Sequence, residues 1–323
     1  LATALQEEKS ILVTKDVNLR VRSRSLGLVA ENYEEDHVAK SSSDVYSGFI
    51  EHLVDDQKID EIYKNGTIEE EDGKFLSNQF VMLVSNYQEN KTALTRFKNG
   101  RLQRVPEVSN KGIFGLKAKN KEQLFAFDLL LDKDVPLVSL LGKAGSGKTL
   151  LSIAAAMELV LDKQEYSRIV IMKSLNTVGS DIGFLPGPVI EKLLPRFGSI
   201  EDNLRFLLNN DKIKLEKYIQ DGMIDIEPIA FIRGRSISNS FVIIDEAQNL
   251  SVHEIKTILT RISEGTKIVL TADIFQIDNP FLDAVSNGFV HVVEKFKGKE
   301  LFGHITFRQG VRSKLATLAS EIL

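Results

Sequence analysis

The sequence predicts an α/β fold with a mainly parallel sheet that fills roughly the C-terminal two-thirds of the chain. After residue 120, short continuous apolar segments alternate with helical patterns, and this alternation is typical of parallel strands that are covered on both faces. A glycine-rich turn also separates one apolar strand from an apolar helix, which is the position that phosphate-binding loops occupy.

The strands of this sheet are predicted from apolar runs that are too short for ordinary helices. These runs lie at 137–141, 168–172, 241–244, 267–270 and 304–307. An alanine-rich apolar run at 150–161 predicts a helix shortly after the first strand.

Two smaller units are predicted before this domain. Residues 1–40 show a helix, strand, helix, strand pattern, which indicates the end of an α/β unit too small to fold alone. Residues 41–115 carry short strand patterns with turn signals at Asn65-Gly66, Asp72-Gly73 and Asn99-Gly100. We therefore expect a small β-rich module there, with a hairpin at Asn99-Gly100, and a third unit over 116–323.

Composition excludes several classes of protein. The 323 residues are 43% hydrophobic and 27% charged, with a net charge of −4 and no cysteine. Disulfides and thiolate metal sites are therefore excluded, and nucleic acid could be bound only through a local basic patch. No apolar run approaches the ~20 residues that span a bilayer. We expect a soluble, cytoplasmic chain with no membrane partner, which begins partway through a domain.

The glycine-rich turn matches the phosphate-binding pattern G-x-x-x-x-G-K-[ST] at every fixed position. Glycines allow a tight turn whose backbone N–H groups point at phosphate oxygens, and the following helix adds its positive end. In this pattern Lys148 reaches the β- and γ-phosphates and Thr149 is a Mg²⁺ ligand. ATP and Mg²⁺ are the expected ligands of the loop, which consists of Gly142, Lys143, Ala144, Gly145, Ser146, Gly147, Lys148 and Thr149.

Two adjacent acids end the strand at 241–244. Asp245 is expected to support Mg²⁺, and Glu246 to polarise the attacking water as a general base. Two acids after a strand can also be a helix cap, but their occurrence together with the loop favours the metal site.

Other polar residues are candidates with a structural alternative. Asp273 and Gln276 end another apolar strand, and Gln276 is expected beside the γ-phosphate unless this is only a strand-to-loop junction. Gln123 precedes the first strand and is a candidate for the adenine edge. Arg312, after the last strand, is a candidate for neutralising charge on the γ-phosphate, in the same chain or in a neighbour, or for a solvated capping charge. Arg233 and Arg235 are candidates of the same kind, for either phosphate or RNA.

These residues together resemble the PhoH-like ATPases, whose P-loop domain is RecA-like and similar to superfamily-one helicase motors. The resemblance covers about residues 112 to 323 in the expected order. It is carried by NKEQ at 120–123, GKAGSGKTLL at 142–151, VGSDIGFLPG at 178–187, RGRSI at 233–237, DEAQNL at 245–250, KIVLTAD at 267–273, QIDNP at 276–280 and FGHI at 302–305. One RecA-like domain supplies half of a motor's nucleotide cleft, so the resemblance implies a homo-oligomer, expected to be a hexameric ring, with Arg312 acting in cis or in trans.

The first residues resemble the last part of a PIN ribonuclease domain. Asp16, within LVTKDVNL at 12–19, matches one of the carboxylates that such a domain uses to hold a metal ion. The strand with the first catalytic aspartate is absent here. The resemblance therefore implies a PIN–PhoH fusion that lacks most of its nuclease, and we expect no RNA cleavage from this chain.

A basic stretch at 91–121 is the candidate RNA-binding surface, with Phe97 and Phe114 nearby to stack bases. The alternative is a solvated face that pairs with an acidic stretch at 55–72. The leading functional hypothesis is ATP hydrolysis coupled to binding or unwinding single-stranded RNA. The alternative is an ATP-dependent switch or assembly ATPase that acts on a protein partner. A small-molecule kinase shares the loop, but no acceptor site is recognisable. The basic residues are Lys91, Arg96, Lys98, Arg101, Arg104, Lys111, Lys117, Lys119 and Lys121.

Overall fold

The structure, a computed structural model, describes the chain except residues 1–3, 5, 7–9, 15, 32–36, 71–72, 89, 108, 110, 175–196, 233 and 309–323. In the described part, no helix combines the length and apolar character that crossing a membrane requires.

A strand–helix–strand unit comes first, in the order that the sequence predicts. Strand β1 (Ile11–Val13) and strand β2 (Val29–Glu31) pair in parallel. Helix α1 (Val17–Ser25) connects them and begins after Asp16, whose Oδ1 accepts a hydrogen bond from Leu19 N at 3.0 Å. The carboxylate of Asp16 therefore acts as a helix cap here.

The second unit is a five-stranded sheet with one helix, in the order β3-β5-β6-β7-β4. Strands β3 and β5 are parallel and the other pairs are antiparallel. Asn99 and Gly100 have φ values of 54° and 72°, as the predicted two-residue hairpin between β6 and β7 requires. The elements are β3 (Phe49–Val54), α2 (Asp56–Asn65), β4 (Thr67–Glu69), β5 (Phe80–Ser85), β6 (Thr92–Lys98) and β7 (Arg101–Arg104).

Helix α2 is a difference from the sequence prediction, which expected only strands in this region. Asn65-Gly66, interpreted there as a turn between strands, is the end of this helix. Gly66 has a φ of 75° and its N–H bonds the carbonyl of Ile62 at 2.9 Å, which is a common way for a helix to end.

The third unit is the predicted parallel sheet with helices on both faces. Its six strands have the order β10-β9-β11-β12-β8-β13, and every pair in it is parallel. The elements are α3 (Lys121–Leu131), β8 (Leu137–Gly142), α4 (Lys148–Met157), β9 (Arg168–Lys173), α5 (Gly198–Leu207), α6 (Lys212–Gln220), β10 (Ile224–Pro228), β11 (Ser240–Asp245), α7 (Val252–Leu259), β12 (Lys267–Ala272), α8 (Gly288–Phe296) and β13 (Phe302–Phe307).

All five strands predicted for this sheet are present, and β10 is an additional strand at the edge. The helix predicted at 150–161 begins earlier, at Lys148, and its last part, Glu158–Asp162, is a π-helical turn.

The β-rich module shares a hydrophobic core with the parallel sheet. The Phe80 ring stacks on the Phe125 ring of α3 with centroids 4.3 Å apart, and Phe49 packs on the same ring. Nearby, Arg96 of β6 contacts the Asp128 carboxylate at 2.8 Å and also pairs with Asp132. Separating a buried ion pair would leave an uncompensated buried charge, so these contacts fix the position of α3 relative to the module.

Candidate nucleotide site

A cleft of about 520 Å³ lies at the carboxyl ends of β8, β11 and β12. Parallel α/β sheets bind ligands at this edge. The glycine-rich loop and helix α4 form its floor, and the ends of β11 and β12 form one wall. The sequence-predicted residues that line it are Gln123, Ala144, Gly145, Gly147, Lys148, Thr149, Asp245, Glu246, Asp273 and Gln276.

The loop conformation is fixed by contacts from two sides. Gly147 has a φ of 94°, and a Cβ atom there would lie 3.1 Å from Gln123 Nε2, so glycine is required for both reasons. On the other side, Ala144 N donates a hydrogen bond to Asp273 Oδ2 at 2.7 Å. The loop is therefore held open for a ligand by side chains from α3 and from the end of β12.

Lys148 is buried in the loop and its ammonium group faces loop carbonyls. Its Nζ donates to Gly142 O at 2.6 Å and to Lys143 O at 3.1 Å. The side chain begins the first turn of α4 and lines the cleft. A positive charge thus lies beside the N-terminus of a helix, where an anion is doubly favoured.

Asp245 and Thr149 come together although 96 positions separate them along the chain. Thr149 Oγ1 donates to Asp245 Oδ1 at 2.8 Å, and Thr271 Oγ1 donates to the same oxygen at 2.6 Å. A hydroxyl and a carboxylate beside a phosphate cradle are oxygen ligands of the kind that Mg²⁺ binds. These residues therefore fit a Mg²⁺ ion that accompanies a triphosphate. Thr271 was not identified from the sequence.

Glu246 has a left-handed backbone, with φ of 55°, and its side chain leans toward the neighbouring strand. Its Oε1 lies 2.7 Å from Lys173 Nζ at the end of β9. The strand register, in which Asp245 lies opposite Lys173, explains this contact. Lys173 is thus a site residue that the sequence analysis did not assign to this role.

Gln123 lines the cleft, and both ends of its amide are bonded to backbone groups; the adenine contact stays a prediction. Its Oε1 accepts a hydrogen bond from Lys119 N at 2.8 Å, and its Nε2 donates to Ser146 O at 3.1 Å. The side chain is buried and spans the segment before α3 and the phosphate loop. Its geometry is that of a residue that positions the loop.

Gln276 lines the cleft, and its position is set by Gln248. Gln248 Nε2 donates to Gln276 O at 2.9 Å and its Oε1 accepts from Asp273 N at 3.1 Å. Gln248 is almost completely buried and joins the ends of β11 and β12. It lies in the DEAQNL segment, but nothing in that segment indicated a bridging role.

Several sequence predictions lie outside the described residues. Arg312, Arg233 and the segment 178–187 belong to this group. Arg235 is described and pairs with Glu227 at 2.8 Å. Asp16 is described as a helix cap, and among the described residues no group of three or more His, Asp or Glu side chains could hold a metal ion. The predicted metal role of Asp16 therefore gains no support from the geometry.

The structure corrects the prediction of a basic RNA-binding surface at 91–121. Phe97 is buried against Phe75 in the module core, and Arg96 is buried in its ion pairs with α3. These side chains cannot stack on bases or follow a phosphate backbone. Among the described ion pairs of this stretch, those of Lys91 and Arg101 are with the acidic stretch at 55–72, as the alternative predicts. The others are with acids outside it. The basic residues in ion pairs are Lys91, Arg96, Lys98, Arg101, Arg104 and Lys121.

The fold and the site define a P-loop nucleoside triphosphatase. Residues 115–323 match the family described as PhoH-like protein. Protein PhoH2 of Bacillus subtilis (strain 168) is 42% identical over 319 residues, which are 97% of this chain and 72% of that relative. Protein PhoH of Escherichia coli (strain K12) is 34% identical over 190 residues, 59% of this chain and 52% of that relative. The chain therefore belongs to the PhoH-like family of P-loop ATPases.

Among solved structures, the Sulfolobus solfataricus SWI2/SNF2 ATPase core in complex with dsDNA aligns at 17% identity. The alignment covers 64% of this chain and 47% of that chain, with a TM-score of 0.36.

Proposed function

We propose that this chain hydrolyses ATP in a Mg²⁺-dependent reaction and couples the reaction to single-stranded RNA in the cytoplasm. The observation that carries the first part is the contact between the Thr149 hydroxyl and the Asp245 carboxylate at 2.8 Å, beside the Lys148 ammonium group. A metal ligand, its supporting acid and a phosphate-binding cation meet at one end of the cleft.

Each site residue has a role that its position supports. The loop amides and Lys148 bind the phosphate chain, and Lys148 must leave the carbonyls of Gly142 and Lys143 to do so. Thr149 and Asp245 would hold Mg²⁺, which supplies charge neutralisation at the β- and γ-phosphate oxygens when bound. Glu246 accepts a proton from the attacking water at its carboxylate. Its contact with Lys173 has to loosen for that carboxylate to reach a water molecule.

Hydrolysis is tested by ATP turnover of the wild-type chain and of Lys148→Ala, each titrated with Mg²⁺. The variant should bind ATP at least tenfold more weakly, because it loses the phosphate-binding charge. Lys217→Ala is the matched control, since Lys217 lies on α6 and does not line the cleft. Wild-type turnover that is absent, or independent of Mg²⁺, would reject the proposal.

The coupling to RNA is proposed from the resemblance of the sequence to helicase motors and from exposed aromatic side chains at the edge of the sheet that holds the cleft. Phe275 and Phe281 follow β12, and they are 66% and 63% exposed. Lys143 of the phosphate loop lies 5.8 Å from the Phe275 ring centroid. Exposed rings beside cations are suited to stacking the bases of a single strand, so this edge replaces the basic stretch as the RNA contact.

Turnover with and without single-stranded RNA, across a salt series, tests the coupling. RNA should raise the rate, and the RNA concentration needed should increase steeply with salt because phosphate contacts release counterions. A rate that saturating RNA leaves unchanged favours the alternative function, a switch or assembly ATPase that acts on a protein partner.

A homo-hexameric ring remains part of the proposal, with Arg312 completing a cleft in cis or in trans. Arg312→Ala should spare ATP binding and reduce hydrolysis. Mixing this variant with Lys148→Ala protein restores activity only if Arg312 acts in trans. Sedimentation in the presence of ATP and Mg²⁺ measures the ring size, and a monomer under these conditions contradicts the ring.

A further inference from the structure

Helix α5 presents one row of side chains to the nucleotide cleft and the adjacent row to the core. Ser199, Asn203 and Phe206 line the cleft, and their spacing of four and three residues places them in one row along a helix. The alternate positions Ile200, Leu204 and Leu207 are buried. The row that faces the cleft is therefore a defined wall of the site.

Phe206 is an exposed aromatic ring within this wall. Its side chain is 60% exposed. Covering an apolar side chain of this size removes apolar surface from water and is favourable. No other ring of the described residues stacks on it. The ring is thus available to a planar ligand in the cleft.

Phe206 and the acidic residues line the same cleft from different elements. Asp245, Glu246 and Gln276 lie at the strand ends, where the γ-phosphate belongs. Helix α5, which packs against α4, lines the cleft together with Leu116, Lys117 and Leu150. A nucleoside that extends from the loop toward these residues would meet Phe206.

The residue predicted for the adenine edge is engaged by the backbone. Gln123 Oε1 accepts a half-buried hydrogen bond from Lys119 N and its Nε2 donates a buried one to Ser146 O, so turning this amide toward a base would disturb its contact with the phosphate loop. Among the described residues that line the cleft, Phe206 is the one aromatic side chain, and its planar face is suited to contact a base.

We propose that Phe206 stacks on the nucleobase of the bound nucleotide, with a purine preferred for its larger stacking surface, and that it determines how much the base adds to affinity. This inference rests on the proposed function, because it assumes that a nucleoside triphosphate occupies the cleft. Leu116 and Leu150 would cover the edges of the base, and the phosphate loop would hold the other end of the ligand independently of Phe206.

The test compares two ligands that share the phosphate chain, a non-hydrolysable ATP analogue and inorganic triphosphate, both with Mg²⁺. Binding is measured by titration calorimetry on the wild-type chain and on Phe206→Ala. The wild-type chain should bind the ATP analogue more tightly than triphosphate. The variant should lose about tenfold in affinity for the analogue, within the range of base–aromatic stacking, and should bind triphosphate as before.

Two further variants separate stacking from general effects. Phe206→Tyr keeps the ring and should keep the affinity for the analogue. Tyr87→Ala removes another aromatic side chain, which is 75% exposed in the β-rich module. This variant should bind both ligands with the affinity of the wild-type chain.

The remaining outcomes are distinguishable. Wild-type protein that binds neither ligand overturns the proposed function itself. Wild-type protein that binds both ligands equally well leaves the phosphate site standing and overturns the base-stacking role. An equal loss of both ligands in Phe206→Ala also overturns it, because helix α5 would then be acting on the loop rather than on the base.

Discussion

The substitution Gln123→Ala distinguishes a residue that positions the phosphate loop from one that recognises adenine. The sequence makes Gln123 a candidate for the adenine edge, and the structure shows its amide bonded to Lys119 N and Ser146 O. Alanine would leave the Ser146 carbonyl without its partner in a buried place and the Lys119 amide without its partner in a half-buried one. Each such group costs about 1–3 kcal/mol, so the local penalty is about 2–4 kcal/mol when relaxation is allowed for.

About half of this penalty should fall on the loop, because the Ser146 carbonyl lies within it and the Lys119 amide does not. About 1–2 kcal/mol corresponds to roughly a five- to thirtyfold loss of affinity. The loss should be the same for a non-hydrolysable ATP analogue and for inorganic triphosphate, since both ligands bind the loop amides. Titration calorimetry with Mg²⁺ present measures both values.

Controls define what each result means. Gln220→Ala removes an exposed glutamine at the end of α6 and should leave both affinities unchanged. Gln123→Glu keeps an acceptor for Lys119 N but places a carboxylate oxygen against the Ser146 carbonyl, so it should weaken both ligands at least as much as alanine. If Gln123→Ala weakens only the ATP analogue and spares triphosphate, the positioning role is refuted and the adenine contact stands.

Three further changes have defined outcomes. Asp245→Asn keeps an acceptor for the two threonine hydroxyls but removes the charge, so the Mg²⁺ concentration for half-maximal ATP turnover should rise at least tenfold; an unchanged midpoint contradicts the metal role. Lys173→Met removes the 2.7 Å contact with Glu246, which is worth about 1 kcal/mol at a partly exposed site. Because this contact restrains the Glu246 carboxylate, RNA-independent ATP turnover should rise about fivefold in the variant. A fall in turnover would show that Lys173 assists the reaction. Burial lowers the pKa of Lys267 to about 7. The unfolded chain therefore binds more protons than the folded chain between about pH 7 and 10, so denaturant unfolding should show stability rising with pH in this window, and Lys267→Met should flatten the rise.

The sequence was sufficient for the features that depend on local pattern. The strands β8, β9, β11 and β12 carry short continuous apolar runs and could be recognised from them, whereas β13 contains His304 and Thr306 and was predicted only over 304–307. Strand β10 could not, because Asp225 and Glu227 alternate with its apolar residues, and it lies at the sheet edge with a neighbour on one side only. Helix α2 was missed because the Asn65-Gly66 signal marks a helix end and a hairpin turn equally well.

Side-chain partners across the fold were less accessible to sequence reasoning. The basic residues at 91–121 form a cluster along the chain, but the strands that carry them alternate their faces. Arg96 consequently points toward α3 and is buried, whereas Arg101 pairs with Glu69 across a strand pair. The basic residues that are close in sequence were therefore predicted to form one surface, whereas in the sheet they form separate ion pairs. The acidic partners on α3, Asp128 and Asp132, lie more than 30 positions away from Arg96.

The candidate site was predictable where topology alone brings residues together. Thr149 follows β8 and Asp245 ends β11, and all parallel strands of one sheet end at the same edge, so their meeting follows from the strand assignments. Predicting the contact of Lys173 with Glu246 requires one more fact, that β9 and β11 are neighbours in a register that pairs Lys173 with Asp245. Predicting the position of Gln123 requires two further facts, because α3 lies outside the sheet and its placement depends on the aromatic packing of Phe125 against Phe80. The more tertiary contacts the position of a residue depends on, the harder that position is to predict from a single sequence. For that reason the loop and the candidate metal ligands were predicted from the pattern, while the residues that position them required the structure.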